Sequence, residues 1–310
     1  MSQKNNWVDK DGNIHFGKMI ISMDDFDVIE CEKCNFKHIT PIPTEDELES
    51  VYRKDYYLTE KPFYIEHYLE DKEWWDLVYT DRFEIFEENL PEDSRKILDI
   101  GSGPGLFLNL GRERGWKTKG IEPSSQAAKY SKETLKLDIA EVFFDKDSSE
   151  VLGKFDVINM GEVLEHLPNP KAIIDLSHER LNENGLLCII VPNDFNPFQK
   201  ILTDFMNFKP WWVVPPHHIN YFNTNSLSSL IESCGFKVIH NETTFPIDMF
   251  LLMGKNYIDD GDTGRKCHDL RKQFEINIAK SDDKNLFRDL YKGFSNANIG
   301  REIIIVAKKI

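Results

Sequence analysis

From residue 96 onward the chain alternates short apolar runs with segments whose apolar residues fall three or four positions apart. The runs are Ile97-Leu98-Asp99-Ile100, Gly120-Ile121, a short one near Ile139 to Phe144, Phe155 to Met160, Gly185 to Asn193, Phe236 to Ile239 and Arg301 to Ala307. Nearly continuous apolar runs suit strands buried on both faces, and the amphipathic stretches between them suit helices that cover those faces. The pattern predicts an α/β domain built on a parallel sheet. One helix is expected from Ser226 to Ser233, with Leu227, Leu230 and Ile231 on one face and Gly235 closing it, and another, holding Leu176 and Leu181, before the fifth strand. Between the last two runs lie roughly sixty residues, more than a hairpin needs, with helical periodicity over Leu270 to Ile278 and Asn285 to Tyr291. A helical insertion is expected there.

The first run leads into Gly101-Ser102-Gly103-Pro104-Gly105 and then into Leu106-Phe107-Leu108, which reads as strand, glycine loop, helix. An α/β sheet holds its ligand at the carboxyl end of such a strand, and glycines there let the ligand meet backbone that a Cβ would cover. The spacing is G-x-G-x-G, whereas a dinucleotide loop needs glycine at 106, where this chain has Leu106. Nucleotide-dependent oxidoreduction is disfavoured on that ground. With Asp99 two residues before the loop and Glu122 after the next run, these residues resemble the first two motifs of class I S-adenosylmethionine (SAM) methyltransferases.

The resemblance covers most of residues 96–243. It implies a Rossmann-like sheet of seven strands with the last antiparallel, and SAM as cofactor. It further implies that Asp99, Gly101, Gly103 and Gly105 surround the methionine and ribose portion of SAM. Glu122 would accept hydrogen bonds from both ribose hydroxyls, a carboxylate offering two oxygens to two donors. Asn159, Gly161 and Glu162, at the exit of the fourth strand, would lie near the methionine end. The tetrapeptide Asn159-Met160-Gly161-Glu162 lacks the Pro-Pro-aromatic pattern of many amino-group methyltransferases, which argues against methylation of nucleobase amines. Glu165 and His166, just beyond, are read as a fold-supporting helix start in preference to a catalytic pair.

At 310 residues, with 40% hydrophobic and 29% charged content, the chain can bury a sizeable core. Its net charge of −15 argues against nucleic acid as the acceptor, since a phosphate array calls for a basic face. Met1 to Asn6 lacks the apolar core of a signal peptide, and no apolar run approaches the roughly 20 residues that span a bilayer. A cytoplasmic protein without membrane attachment is expected. Five cysteines, three of them isolated (Cys188, Cys234 and Cys267), do not form a disulfide framework.

After the fifth strand, Asn193 to Asn220 is long and aromatic, with Phe195, Phe198, Phe205, Phe208, Trp211 and Trp212. It is placed to act as a lid that excludes water from the sulfonium, or as an apolar interface with the N-terminal region or a second subunit. It leads into His217-His218-Ile219-Asn220-Tyr221-Phe222, which resembles the same loop in sugar and small-molecule methyltransferases. In deoxysugar C-methyltransferases the histidine matching His218 is the proposed base, and glutamate stands where this chain has His217. The resemblance makes His218 the base for the acceptor's proton, a task that neutral imidazole can perform, and leaves His217 to orient the lid. In the insertion, Arg265, His268 and Arg271 recur near helical spacing. They offer donors to the phosphates of a nucleotide-linked sugar, or else form a solvated charged face.

Near the front, Cys31-Glu32-Lys33-Cys34 followed by His38 spells C-x2-C-x3-H, and a closed tetrahedral zinc site needs one further donor, for which His15 is the candidate. The region resembles the zinc-bearing N-terminal modules of some sugar methyltransferases, which more often use four cysteines. The alternative is a reduced cysteine pair without metal. Tyr56, Tyr57, Tyr64 and His67 either line the acceptor pocket or serve as packing. The expected organisation is a zinc-binding module over 1–60, a helical cap over 61–95, the SAM core over 96–243, the insertion over 244–298 and the final core strand over 299–310. The expected function is SAM-dependent methyl transfer to a small polar acceptor, a sugar or sugar nucleotide, at oxygen in preference to carbon. The alternative is a noncatalytic SAM-binding or zinc-scaffold protein that docks a partner through its aromatic segment.

Overall fold

The computed structural model describes residues 4–9, 12–23, 25–44, 47–48, 64–281 and 283–310. Tyr56, Tyr57 and the side chain of Tyr64 lie outside the described residues. The front of the chain forms β1 (Lys4–Val8), β2 (Ile14–Met23), β3 (Phe26–Cys31) and β4 (Lys37–Thr40). The core supplies β5 (Lys96–Ile100), β6 (Lys117–Ile121), β7 (Ile139–Ala140), β8 (Phe155–Gly161), β9 (Leu181–Pro192), β10 (Asn220–Tyr221), β11 (Phe236–Thr243) and β12 (Glu302–Lys309). Five helices bear on the site: α1 (Tyr64–Glu70), α2 (Lys72–Asn89), α3 (Leu106–Glu113), α4 (Gly261–Ala279) and α5 (Lys284–Asn296).

The central sheet has seven strands in the order β11-β12-β9-β8-β5-β6-β7. Strands β9, β8, β5, β6 and β7 pair in parallel, and β12 lies antiparallel between β9 and β11. This is the Rossmann-like α/β arrangement that the apolar runs and the glycine loop lead one to expect. The last strand of the chain enters the interior of the sheet. Its run Ile303-Ile304-Ile305-Val306-Ala307 is buried throughout, as a strand with a neighbour on each side and cover above and below requires.

Local chemistry sets the ends of the elements. The Asn223 side chain accepts from the Ser226 N–H, so the helix anticipated from Ser226 begins at Thr224, and Gly235, at φ 85°, follows its end. Leu181 belongs to a strand rather than to the preceding helix: that helix ends at Arg180, and Leu181 opens β9 opposite Phe155.

Strands β1 to β4 form a second, antiparallel sheet whose remaining strand is β10, contributed from the far end of the aromatic segment. His38 pairs with Asn220, Lys37 pairs with Tyr221, and the Ile39 N–H donates to the Ile219 carbonyl at 2.9 Å. Trp212, Val213, Ile219 and Tyr221 pack with Val28 and Ile39 in the core of this front module. Among the described residues, no helix is long and apolar enough to cross a membrane.

Candidate active site

Beyond the carboxyl ends of β5, β6 and β8 lies a cavity of about 510 Å³. The glycine loop forms one wall, and Trp74 and Trp75 of α2 with Arg271 and Tyr291 of α4 and α5 form another. No residue of the aromatic segment 193–220 lines it. The segment is therefore not the lid over this cavity, because its tryptophans close the core of the front module instead. Cover comes from the cap helix and the insertion.

Gly101 and Gly105 hold φ of 70° and 79°, left-handed values that suit glycine. A Cβ on Gly101 would come 2.5 Å from Val163 Cγ2, and one on Gly105 would come 2.6 Å from Leu137 Cδ1. Protein atoms, not ligand, occupy the space beside these two glycines. Gly105 caps α3 and does not line the cavity, whereas Gly101 and Gly103 do. The Gly103 N–H donates to Glu122 Oε2 at 2.7 Å, and Glu122 Oε1 accepts from the Ser124 N–H at 2.8 Å. One carboxylate thus ties the loop to the end of β6. Burial pushes the Glu122 carboxyl up to about 7, opposed by those two backbone hydrogen bonds.

Asp99, fully buried, is likewise raised to about 7 by burial, while Asn159 Nδ2 donates to its Oδ1 at 2.7 Å. Gly161 and Glu162 continue the wall. Glu162 stands at φ 57°, a conformation that costs a residue with a side chain of order 1 kcal/mol or more. Ser102 Oγ and Asn159 Oδ1 are buried on this wall with no hydrogen-bond partner among the described residues, which points to a polar ligand. SAM, with its hydroxyls and charged methionine, suits them. Arg82 of α2 is 8% exposed and lines the same cavity, with no hydrogen bond or ion pair among the described residues. Sequence reading missed it, since one arginine in an amphipathic helix carries no local signal.

The two histidines singled out from the sequence stand behind the cavity rather than on it. Neither His217 nor His218 lines it, whereas His166 does. His166 Nδ1 lies 2.7 Å from the His217 carbonyl oxygen, and the His166 and His218 rings meet edge to face with centroids 5.0 Å apart. His218 Nδ1 is 4.0 Å from Asp194 Oδ2, and Asp194 pairs with Arg301 at 3.0 Å. Buried Glu165 is 3.6 Å from His166 Nε2. Ligand atoms of Glu165, His166 and His218 all fall within 4.8 Å of one another, a grouping able to move a proton or hold a cation. The preference for Glu165 and His166 as helix support over a catalytic pair passed over this grouping.

In the insertion, Arg265 pairs with Glu70 and Asp71, and His268 meets Asp71 at 2.9 Å. These contacts fasten α4 to the turn between α1 and α2. His268 and Arg271 line the cavity; Arg265 and exposed His67 do not.

At the front, His15 of β2, Cys31 of β3, Cys34 of the following turn and His38 of β4 converge, each ligand atom within 4.8 Å of the others. His15 Nδ1 lies 3.1 Å from His38 Nε2, 3.4 Å from Cys34 Sγ and 3.7 Å from Cys31 Sγ. Zinc bonds of about 2.3 Å to sulfur and about 2.0 Å to nitrogen span a tetrahedron of similar edges. The outer ring nitrogens are held as well. His38 Nδ1 donates to the Ile39 carbonyl at 2.9 Å and His15 Nε2 meets Asp9 at 3.2 Å, which turns both remaining lone pairs inward. A hydrogen bond from Cys34 holds the Cys31 thiol well below the usual range, and His38 adds to this against the opposing effect of burial.

The profile of the family described as "Methyltransferase domain" matches residues 73–241, more than half of the chain. The chain belongs to the methyltransferase-domain family. Its fold is that of the magnesium protoporphyrin IX methyltransferase from Synechocystis PCC 6803, solved with bound S-adenosylhomocysteine (SAH), at a TM-score of 0.50 and 11% identity over 84% of this chain and 99% of that one. Among curated proteins, the ubiquinone biosynthesis O-methyltransferase of Pseudomonas aeruginosa is 27% identical over 126 residues, 36% of this chain and 54% of the relative. The protein of the same name from Glaesserella parasuis is 35% identical over 108 residues, 32% of this chain and 46% of the relative. The chain spans about half the length of the curated relatives it matches.

Proposed function

We propose that this methyltransferase moves the methyl group of SAM to a hydroxyl of a small polar acceptor, with sugars and sugar nucleotides as the first candidates. The observation that carries the reading is Glu122, buried on the cavity wall and bonded to the Gly103 and Ser124 amides, beside the partnerless Ser102 and Asn159 oxygens. Bound SAM supplies an electrophilic methyl on a sulfonium. The chain supplies placement and a proton acceptor, the two requirements of an in-line displacement at a hydroxyl. Glu122 receives the ribose hydroxyls, and the Arg82 guanidinium is complementary to the methionine carboxylate. His166 faces the acceptor and takes its proton together with His218, which Asp194 holds from behind. The name O-methyltransferase carried by the curated relatives supports oxygen as the methylated atom. In the front module, His15, Cys31, Cys34 and His38 hold one structural zinc ion.

Native mass spectrometry of the chain, purified without added cofactor, is expected to show SAM or SAH bound. Labelled SAM is expected to pass its methyl to a hydroxyl acceptor in a panel of sugars, sugar nucleotides and phenols. Tight SAM binding with no labelled product across that panel would favour the noncatalytic reading.

A further inference from the structure

The cavity has an end that SAM chemistry does not account for, between Trp74 of α2 and the helices α4 and α5 of the insertion. At its centre is Glu275, 1% exposed, whose carboxylate accepts from the Trp74 indole N–H, the Tyr291 hydroxyl and, at 3.4 Å, Arg271 Nε. Arg271 is 8% exposed, and its guanidinium carbon lies 4.8 Å from the centroid of the Trp74 ring. One edge of the fork is thus held by Glu275 and one face by an indole. The two terminal amino groups of Arg271 make no hydrogen bond among the described residues, and Arg271 lines the cavity. Neither terminal nitrogen belongs to the fully buried partnerless atoms, so both open to the cavity, where an acceptor on a ligand can reach them.

The negative charge of Glu275 does not satisfy them, because it is shared among three donors and meets Arg271 only at Nε. A fixed guanidinium with a free, planar pair of amino groups matches two oxygens of one anionic group. The neighbouring aromatic faces of Trp74 and Tyr291 suit a flat or apolar portion attached to that group.

We propose that Arg271 is the anion subsite of the acceptor pocket, so that the acceptor carries a phosphate or carboxylate held in two-point fashion while its hydroxyl is methylated. This rests on the reading of the cavity as a methyl-transfer site and narrows its substrate to an acidic one. It also separates Arg271 from Arg265, which pairs with Glu70 and Asp71 and does not line the cavity.

The test is calorimetry on the full chain with two simple probes, inorganic pyrophosphate and benzoate, each titrated with and without saturating SAH. At least one probe is expected to bind the wild type, and Arg271→Gln is expected to weaken it by about tenfold or more, the scale of a charge-assisted hydrogen-bonded pair. Arg271→Lys should recover only part of the loss, since an ammonium lacks the fork. Arg265→Gln should bind the probe like wild type, and SAH affinity should be the same in all variants. Pyrophosphate binding alone identifies a phosphate-bearing acceptor, and benzoate binding alone a carboxylate-bearing one. Failure of both probes on the wild type, equal affinity in Arg271→Gln, or an equal loss in Arg265→Gln overturns the proposal. SAH binding is read separately: its absence from the wild type strikes the methyl-transfer reading, while its presence beside a failed anion arm strikes only the subsite.

Discussion

The cofactor floor and the histidine wall share one neighbourhood but are assembled differently. The floor comes from consecutive elements, since β5, the glycine loop, α3 and β6 follow one another, and the parallel register that sets Gly120 beside Asp99 brings Glu122 to the Gly103 amide. The wall comes from three distant pieces. Glu165 and His166 follow β8, His217 and His218 lie near the end of the aromatic segment, and β4 arrives from the front module. The Ile219 N–H donates to the Glu165 carbonyl, the Asn220 amide donates to the Leu164 and Leu167 carbonyls, and the Ile39 N–H donates to Ile219. A site made by neighbouring elements depends on few contacts elsewhere, whereas a site made by chain crossings inherits the local stability of every segment that crosses.

The largest expected effect separates the two regions directly. His166→Gln and His218→Gln should each lower turnover by about 10²-fold or more, the usual scale for general-base catalysis, with SAH affinity unchanged by calorimetry. Loss of SAH affinity in both variants would break the comparison, because wall and floor would then be one unit.

A smaller effect should start from the front module. Metal analysis of protein prepared without chelator is expected to find about one zinc per chain, and the double variant Cys31→Ser, Cys34→Ser should contain none. His38 neighbours Ile39, which bonds to Ile219 just after His218. Removing the metal should therefore lower turnover by roughly tenfold, as disturbed supporting shells commonly do, while leaving SAH affinity unaltered. Full turnover in zinc-free protein would sever the wall from the front module.

The smallest effect sharpens the floor. In the proposed role of Glu122, ribose hydroxyls would donate to its ionised form, so binding would lower a carboxyl that burial has pushed up to about 7 and release a proton. SAH affinity should accordingly rise a few-fold as pH increases through about 7, and Glu122→Gln should flatten that rise. A slope that survives in the variant assigns the proton to Asp99, which burial raises to about the same value.

Legibility in the sequence follows the same division. The strands of the parallel sheet and the glycine loop announce themselves because burial on both faces demands continuous apolar runs, and because left-handed backbone at Gly101 and Gly105 leaves glycine as the residue that fits. The C-x2-C-x3-H spacing named three members of the front cluster, and His15 joined them through the pairing of β2 with β3, which sets Gly17 opposite Cys31. Arg82 and His166 escaped because single polar residues carry no periodicity.

The order and type of the core elements, the cofactor loop and three of the four candidate metal donors, Cys31, Cys34 and His38, were thus legible in the sequence alone, for each rests on residues close together in the chain or on a repeating burial requirement. Tertiary structure decided which side chains face the cavity. The aromatic segment had two apolar surfaces available to it, and pairing of β10 with β4 committed Trp212 and Val213 to the front module. That left the cap helix and the insertion to cover the cavity. The same crossing placed His218 behind His166 instead of on the cavity, and folding of α4 against α2 turned Arg271, one of four Arg and Lys residues in a helical stretch, into the one buried against Trp74 and Glu275. Such outcomes depend on which of several apolar faces meet, and alternation of polar and apolar residues along a chain does not encode that choice.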